Sequence, residues 1–236
     1  MVVKRGISKD KYVMAAVFTV LIFSLGLTLG IIMDYERIKW INQLTEKYDV
    51  DFRSLQFQAL YLGTLEDNNA SCDVLYATLE RAIADLGASL ENVLEYEKQS
   101  KVKSSDFNII RRRYLLDNLR YWLFAKEAKE LCDLDVVNVL YFYSEDKCDS
   151  CPTQGTILTY YKKIFDDKLL IFPLNLDLEK DEPILEILKK RYKVYNLPTI
   201  IIEEKKYEGI VNKDELGKII CRDYKGFQEE CKGILY

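Results

Sequence analysis

The sequence predicts an α/β C-terminal domain preceded by one transmembrane helix and an all-α helical hairpin or bundle. Three observations carry this. Tyr12 to Met33 runs for 22 residues without a charge. Residues 34–133 hold no proline, only two glycines, and apolar residues at helical spacing. From Val136 onward, strand-like apolar runs alternate with helical ones. The chain therefore divides into an N-terminus (1–11), a membrane helix (12–33), a helical segment (34–133) and an α/β segment (134–236).

Composition removes several functions. The 236 residues carry 34 Lys and Arg against 38 Asp and Glu, so no cationic excess exists to neutralise phosphates, and no nucleic-acid partner is expected. There is no histidine. That excludes Ser-His and Cys-His triads, His-ligated zinc and an imidazole base. Chemistry falls to thiols, carboxylates, lysines or tyrosines, with no cofactor called for. Six cysteines are present: Cys72, Cys132, Cys148, Cys151, Cys221 and Cys231.

The uncharged stretch is long enough for a hydrocarbon core of about 30 Å at about 1.5 Å per residue. A cleaved signal peptide is the alternative, although the stretch exceeds a usual h-region and no small-x-small site ends it. Lys4, Arg5, Lys9 and Lys11 precede the span, and only Arg37 and Lys39 closely follow it. The positive-inside rule then predicts a single-pass cell-membrane protein with a cytoplasmic N-terminus and an extracytoplasmic remainder. Gly26 and Gly30 form a GxxxG spacing, one route to a homodimer through the anchor; the helical region is another.

In the helical segment, Ile38, Ile41, Leu44, Tyr48, Phe52, Leu55, Ala59 and Leu62 recur at helical spacing. "GTLEDNNAS" (63–71) reads as a break, with Gly63 as C-cap and Ser71 as N-cap. A second helix aligns Leu75, Leu79, Ile83, Leu86, Leu90 and Leu94, and a polar turn follows at 98–106. A third carries Ile109, Ile110, Leu115, Leu116, Leu119, Trp122 and Leu123, with Arg111–Arg113 as a solvated face. Cys72 lies 31 residues before Lys103 and Cys132 lies 29 after it. An antiparallel hairpin turning there sets them side by side, and a disulfide between them is expected; two free buried cysteines are the alternative. A closed loop of that size stabilises by about 4 kcal/mol in the chain-entropy model. Cys221 and Cys231 frame a short polar segment and read as a local disulfide. Two structural disulfides fit an oxidising compartment.

In the α/β segment, "VVNVLYFYS" (136–144) is a near-continuous apolar run, expected of a strand buried on both faces. A helix follows at 152–165, a strand at 168–177 and a helix at 182–192. "PTIIIEE" and "KKYEGIV" form a hairpin turning near Glu204–Lys205, and a helix at 212–224 starts from Asn212 as N-cap. The order is βαβ-α-ββα. Right-handed crossover makes the first two strands parallel neighbours.

Cys148 and Cys151 stand in a C-x-x-C spacing between the first strand and its helix, and "NLPTIII" enters a later strand about 47 residues on. A sulfur just before a helix's first turn sits near unpaired N–H groups and the positive dipole end, which favours thiolate. Lys147 adds a cation nearby; Asp149 opposes it, pointing to a less oxidising couple. Glu145 and Asp146 read as a solvated turn. A zinc site needs four ligands, which only Cys221 and Cys231 could complete.

This strand, C-x-x-C helix and Pro-Thr strand entry together resemble the thioredoxin-like fold family over roughly 134–224. The resemblance implies a thioredoxin-like C-terminal domain with Cys148 as nucleophile and Cys151 as resolving thiol. It also implies a cis Pro198 facing them, with Leu197 and Thr199 beside it to meet a substrate peptide. The motif departs from the family: it is C-D-S-C, no Trp precedes it, and Phe142 stands where thioredoxins carry a buried acid. Two functions follow. One is a membrane-tethered thiol–disulfide oxidoreductase acting on protein thiols and disulfides or a membrane redox partner. The other is a non-catalytic envelope scaffold whose C-x-x-C is structural.

Overall fold

The computed structural model describes residues 12–32, 54, 56–57, 69–98 and 104–235. Two compact units are present, Met1–Leu65 and Glu66–Tyr236. In the first, helix α1 (Tyr12–Ile32) is long and apolar enough to cross a membrane, as an anchor or a signal sequence would be. Hydroxyls are costly in hydrocarbon unless bonded. Thr19 donates to the Ala15 carbonyl at 2.9 Å and Thr28 to that of Ser24 at 3.0 Å, one turn back along the helix. Met33, the flanking Lys and Arg, the apolar series Ile38–Leu62, Gly63 and Lys103 lie outside the described residues.

The second unit opens with α2 (Asn69–Lys98) and α3 (Ser104–Leu131). There follow β1 (Val137–Tyr143), α4 (Cys151–Phe165), β2 (Leu169–Asn175), α5 (Pro183–Arg191), β3 (Thr199–Ile202), β4 (Lys205–Glu208), α6 (Lys213–Asp223) and a short α7 (Lys232–Leu235). The sheet order is β2-β1-β3-β4, with β1 and β2 parallel and the other pairs antiparallel. β1 is central and buried on both faces, which is why its sequence is apolar throughout. Successive side chains alternate between faces. Leu140 and Phe142 join a core with α3 and α5, whereas Val137, Val139 and Tyr141 join one with α4 and α6. Pro173, which lacks a backbone donor, sits in the edge strand β2, and the other edge, β4, is protected by charge.

The change of pattern at 133/134 predicts a helical segment separate from the sheet. The structure instead packs both around one core. Leu115, Leu119, Trp122 and Ala125 of α3 are buried with Leu140, Phe142 and Phe172 of the sheet, so hairpin and sheet form a single compact unit. Two further expectations change. α2 starts at Asn69, so Ser71 lies inside the helix, buried, rather than capping it. Its buried seam is Leu75, Leu79, Ala82, Ser89 and Val93, while Ile83, Leu90 and Leu94 are 46%, 38% and 48% exposed. Alternating steps of three and four stay on one face; repeated steps of four rotate off it.

The β3–β4 connection is a two-residue turn. Glu203 and Glu204 both have positive φ (44° and 68°), the conformation that follows the strand twist most closely and that usually takes Asn or Gly. Both side chains are recruited elsewhere. The Glu203 carboxylate accepts from the Asn138 backbone N–H at 2.7 Å and meets Lys129 at 2.9 Å; that of Glu204 meets Lys126 at 2.6 Å. α6 begins as its sequence suggests, the Asn212 side chain accepting from the Glu215 N–H at 3.0 Å.

Candidate functional site

All six cysteines are in disulfides: Cys72–Cys132, Cys148–Cys151 and Cys221–Cys231. The first ties the start of α2 to the residue after α3. The third joins α6 to the segment before α7, inside the core that α4 and α6 share with the sheet. There the Tyr224 hydroxyl donates to the Lys168 carbonyl, just before β2 begins, at the end of the sheet away from Cys148. The four cysteines of the zinc alternative are thus split between opposite ends of the sheet.

Cys148 follows β1 and is half-buried; Cys151 is the first residue of α4 and 2% exposed. The chain turns tightly between them, with the Cys151 N–H donating to the Cys148 carbonyl at 3.3 Å. Pro152, in the first turn of α4, has no N–H to satisfy. Beneath the pair, the Tyr141 hydroxyl donates to the Cys151 carbonyl at 2.6 Å. Burial pushes its pKa up to about 12, keeping it a protonated donor. Gln154, one turn on and fully buried, accepts from the Val211 N–H at 2.8 Å. Lys147 and Asp149 are both exposed.

The loop before Cys148 is fastened through Asp177, just past β2. Its carboxylate accepts from the Ser144 hydroxyl at 2.5 Å, the Glu145 N–H at 2.7 Å and the Asp146 N–H at 3.3 Å. Ser144 in turn accepts from the Lys147 N–H at 2.8 Å. Burial acting alone would raise the Asp177 pKa; these donors outweigh it and hold the carboxyl below its ordinary range. Asn175 braces the same corner, accepting from the Asp177 N–H at 2.9 Å and donating to Glu145 at 3.1 Å. The Glu145–Asp146 turn is therefore anchored through its backbone.

On the neighbouring strand, Thr199 pairs with Phe142 in register, which brings the Leu197–Pro198 segment to the disulfide end of the sheet. The Leu197–Pro198 peptide bond is cis. The Pro198 carbonyl accepts from the Gly209 N–H at 2.8 Å. Thr199 is fully buried and its hydroxyl donates to the Asn196 carbonyl at 2.6 Å, so it has no side-chain surface for a ligand. Leu197 is partly exposed. It lines a groove of about 120 Å³ with Lys147, Asp177, Lys189 and Tyr195. Tyr195 is 77% exposed. Among these residues, Asp177, Lys189 and Tyr195 have no motif in the sequence; the only local signal is Asn175-x-Asp177, a side-chain turn at a strand end.

Within Arg111–Arg113, Arg113 is exposed as a solvated face requires, and Arg111 departs from it. Arg111 is 20% exposed and its guanidinium meets Glu145 at 3.0 Å, while Arg112 meets Glu182, the N-cap residue of α5, at 3.2 Å.

No family model and no curated protein matches the chain. Among solved structures, it is similar to one titled "Structure of a malarial protein", with 23% identity and a TM-score of 0.32 over 39% of this chain and all of that one. It is also similar to a chloroplastic thioredoxin z described as defining a novel type-specific target recognition. There the identity is 16% and the TM-score 0.33, over 42% of this chain and 87% of the other.

Proposed function

We propose that this chain is a membrane-tethered thiol–disulfide oxidoreductase of thioredoxin type, exchanging disulfides with exported proteins or with a membrane redox partner. One observation carries the reading. The Cys148–Cys151 disulfide joins a half-buried residue to a fully buried one at the start of a helix, next to a groove lined by Lys147 and Leu197. That asymmetry suits a two-step exchange. In the reduced protein, the Cys148 thiolate attacks one sulfur of a substrate disulfide, forming a mixed disulfide and expelling a substrate thiolate that takes up a proton. Cys151, losing its proton, then attacks the Cys148 sulfur and releases the second substrate thiol. Two electrons pass from the protein dithiol to the substrate, and the Cys148–Cys151 bond re-forms. Run backward, the same steps oxidise a substrate dithiol.

In this reading Lys147 favours the Cys148 thiolate and Asp149 opposes it, so the couple is less oxidising than one with a basic residue between the cysteines. The Leu197 backbone pairs with the substrate peptide. α1 serves as the anchor, with the charge bias before it directing the disulfide to the extracytoplasmic side.

The test is a glutathione titration of the Cys148–Cys151 pair alongside insulin reduction. Exchange that disappears in Cys148→Ser is the expected result; a Cys148→Ser protein with full activity rules the assignment out. A membrane-impermeant thiol reagent applied to reduced intact cells is expected to label Cys148, whereas labelling only after lysis reverses the topology.

A further inference from the structure

α3 crosses one face of the sheet in a fixed direction. Near its C-terminal end, Lys129 donates to the Val136 carbonyl at 2.6 Å, just before β1. Its N-terminal turns consequently lie at the other end of β1, where the disulfide loop begins. There the Arg111 guanidinium meets Glu145 Oε1 at 3.0 Å and rests 5.4 Å from the centre of the Phe107 ring. The same Glu145 oxygen accepts from Asn175 at 3.1 Å. Glu145 is held through its backbone by Asp177, and Ser144, which also bonds Asp177, receives the Lys147 N–H. An unbroken series of polar contacts thus runs from the helical hairpin to the residue before Cys148. Arg112, paired with Glu182, fixes the adjacent turn of α3 to α5.

An exposed ion pair contributes little stability, about 0–1 kcal/mol. Arg111 departs from that case on its own side only: it is 20% exposed, lies over the Phe107 ring and binds an oxygen already held by a second donor, whereas the Glu145 side chain is 59% exposed. Its consequence is also local. Without Arg111, the Glu145 carboxylate keeps only the neutral Asn175 donor and solvent, three residues before Cys148, on a loop that carries Lys147 as well as Asp146 and Asp149. Added negative charge there disfavours a thiolate and hence the reduced dithiol.

We infer that Arg111 is a positioning residue for the Cys148–Cys151 disulfide, through which the α2–α3 hairpin sets the geometry and charge of the redox loop. The inference rests on the thiol–disulfide reading for its purpose. Its contacts make the hairpin part of the site.

The test uses the full chain in detergent micelles, with wild type, Arg111→Lys, Arg111→Glu, Glu145→Arg and the swapped pair Arg111→Glu/Glu145→Arg. Two readouts need no protein substrate: the glutathione equilibrium of the peptide holding Cys148 and Cys151, and the alkylation rate of reduced Cys148. Arg111→Glu is expected to lower both by about threefold or more, the scale of a single screened ion pair. Arg111→Lys is expected to keep most of each value, and the swapped pair to return both to within about twofold of wild type. A purely structural arginine would instead lower the urea midpoint and leave the equilibrium and rate unmoved. That outcome overturns the inference, as does a swapped pair no better than Arg111→Glu. Should wild type fail to exchange with protein disulfides while Arg111→Glu still shifts both readouts, the redox reading falls and the positioning role stands. Normal exchange with no Arg111 effect gives the reverse.

Discussion

The Tyr141 hydroxyl and the Cys151 carbonyl, 2.6 Å apart, tie the centre of β1 to the first residue of α4 directly under the disulfide. Tyr141 also stacks on Tyr143, their rings 5.2 Å apart and 12° from parallel. Tyr141→Phe keeps the ring and removes the bond. The expected cost is about 1 kcal/mol, the usual net value of such a hydrogen bond, read as a lower urea midpoint at unchanged slope. An unchanged midpoint would mean that the bond holds nothing.

Alkali attacks this fold through its tyrosines. Burial pushes Tyr121, Tyr141 and Tyr143 up to about 12, with the charges of Asp167 on Tyr121 and Glu145 on Tyr143 adding to it; burial likewise raises Tyr224. The unfolded chain loses these protons near 10. Stability from these groups is therefore complete below about pH 10 and drains away as pH rises through about 12, because only the unfolded state ionises in that window. In a titration followed at 295 nm, a late-ionising class of tyrosines should appear together with loss of far-ultraviolet dichroism. Ionisation of all 17 tyrosines near pH 10 with the dichroism intact would contradict this burial.

The Cys72–Cys132 bond closes a loop across 60 positions. Its replacement by two serines is expected to cost up to about 4 kcal/mol through the unfolded chain's entropy. Denaturation of the double variant against wild type measures it. A loss below about 0.5 kcal/mol would show that the packing of α2 on α3 suffices alone.

Gly217 of α6 passes close to the Tyr161 ring. A Cβ there would fall 2.8 Å from the Tyr161 Cζ and 2.9 Å from the Ile234 Cγ2. The Tyr161 hydroxyl is committed to the Lys213 carbonyl at 2.7 Å, so the ring cannot move aside without losing that bond. Gly217→Ala should destabilise by about 1–3 kcal/mol, the range for overpacking, even though alanine favours helices. A more stable variant would show that the ring yields freely.

Much of the layout is legible in the sequence because its signals are local. The run 136–144 reads as a doubly buried strand, and in the structure β1 is central. Asn212 reads as an N-cap, and its side chain accepts from Glu215. What escapes the sequence depends on long-range contacts. Ile83, Leu90 and Leu94 look like core residues, yet the small residues Ala82 and Ser89 occupy the seam, since the close approach of α3 selects for size as well as polarity. Arg111 and Arg112 look like solvent-facing charge because their partners, Glu145 and Glu182, come 34 and 70 residues later. Asp177, which orders the loop before Cys148, carries no motif beyond its spacing from Asn175.

The redox assignment is tested most directly by trapping its intermediate. The reduced full chain carrying Cys151→Ser is mixed with a disulfide-bonded peptide, quenched in acid and mapped by mass. The expected product is one mixed disulfide per chain, located at Cys148, released by dithiothreitol and absent from the Cys148→Ser/Cys151→Ser variant. No adduct at Cys148, or an equal yield in the doubly substituted protein, would contradict thiol–disulfide exchange at this pair.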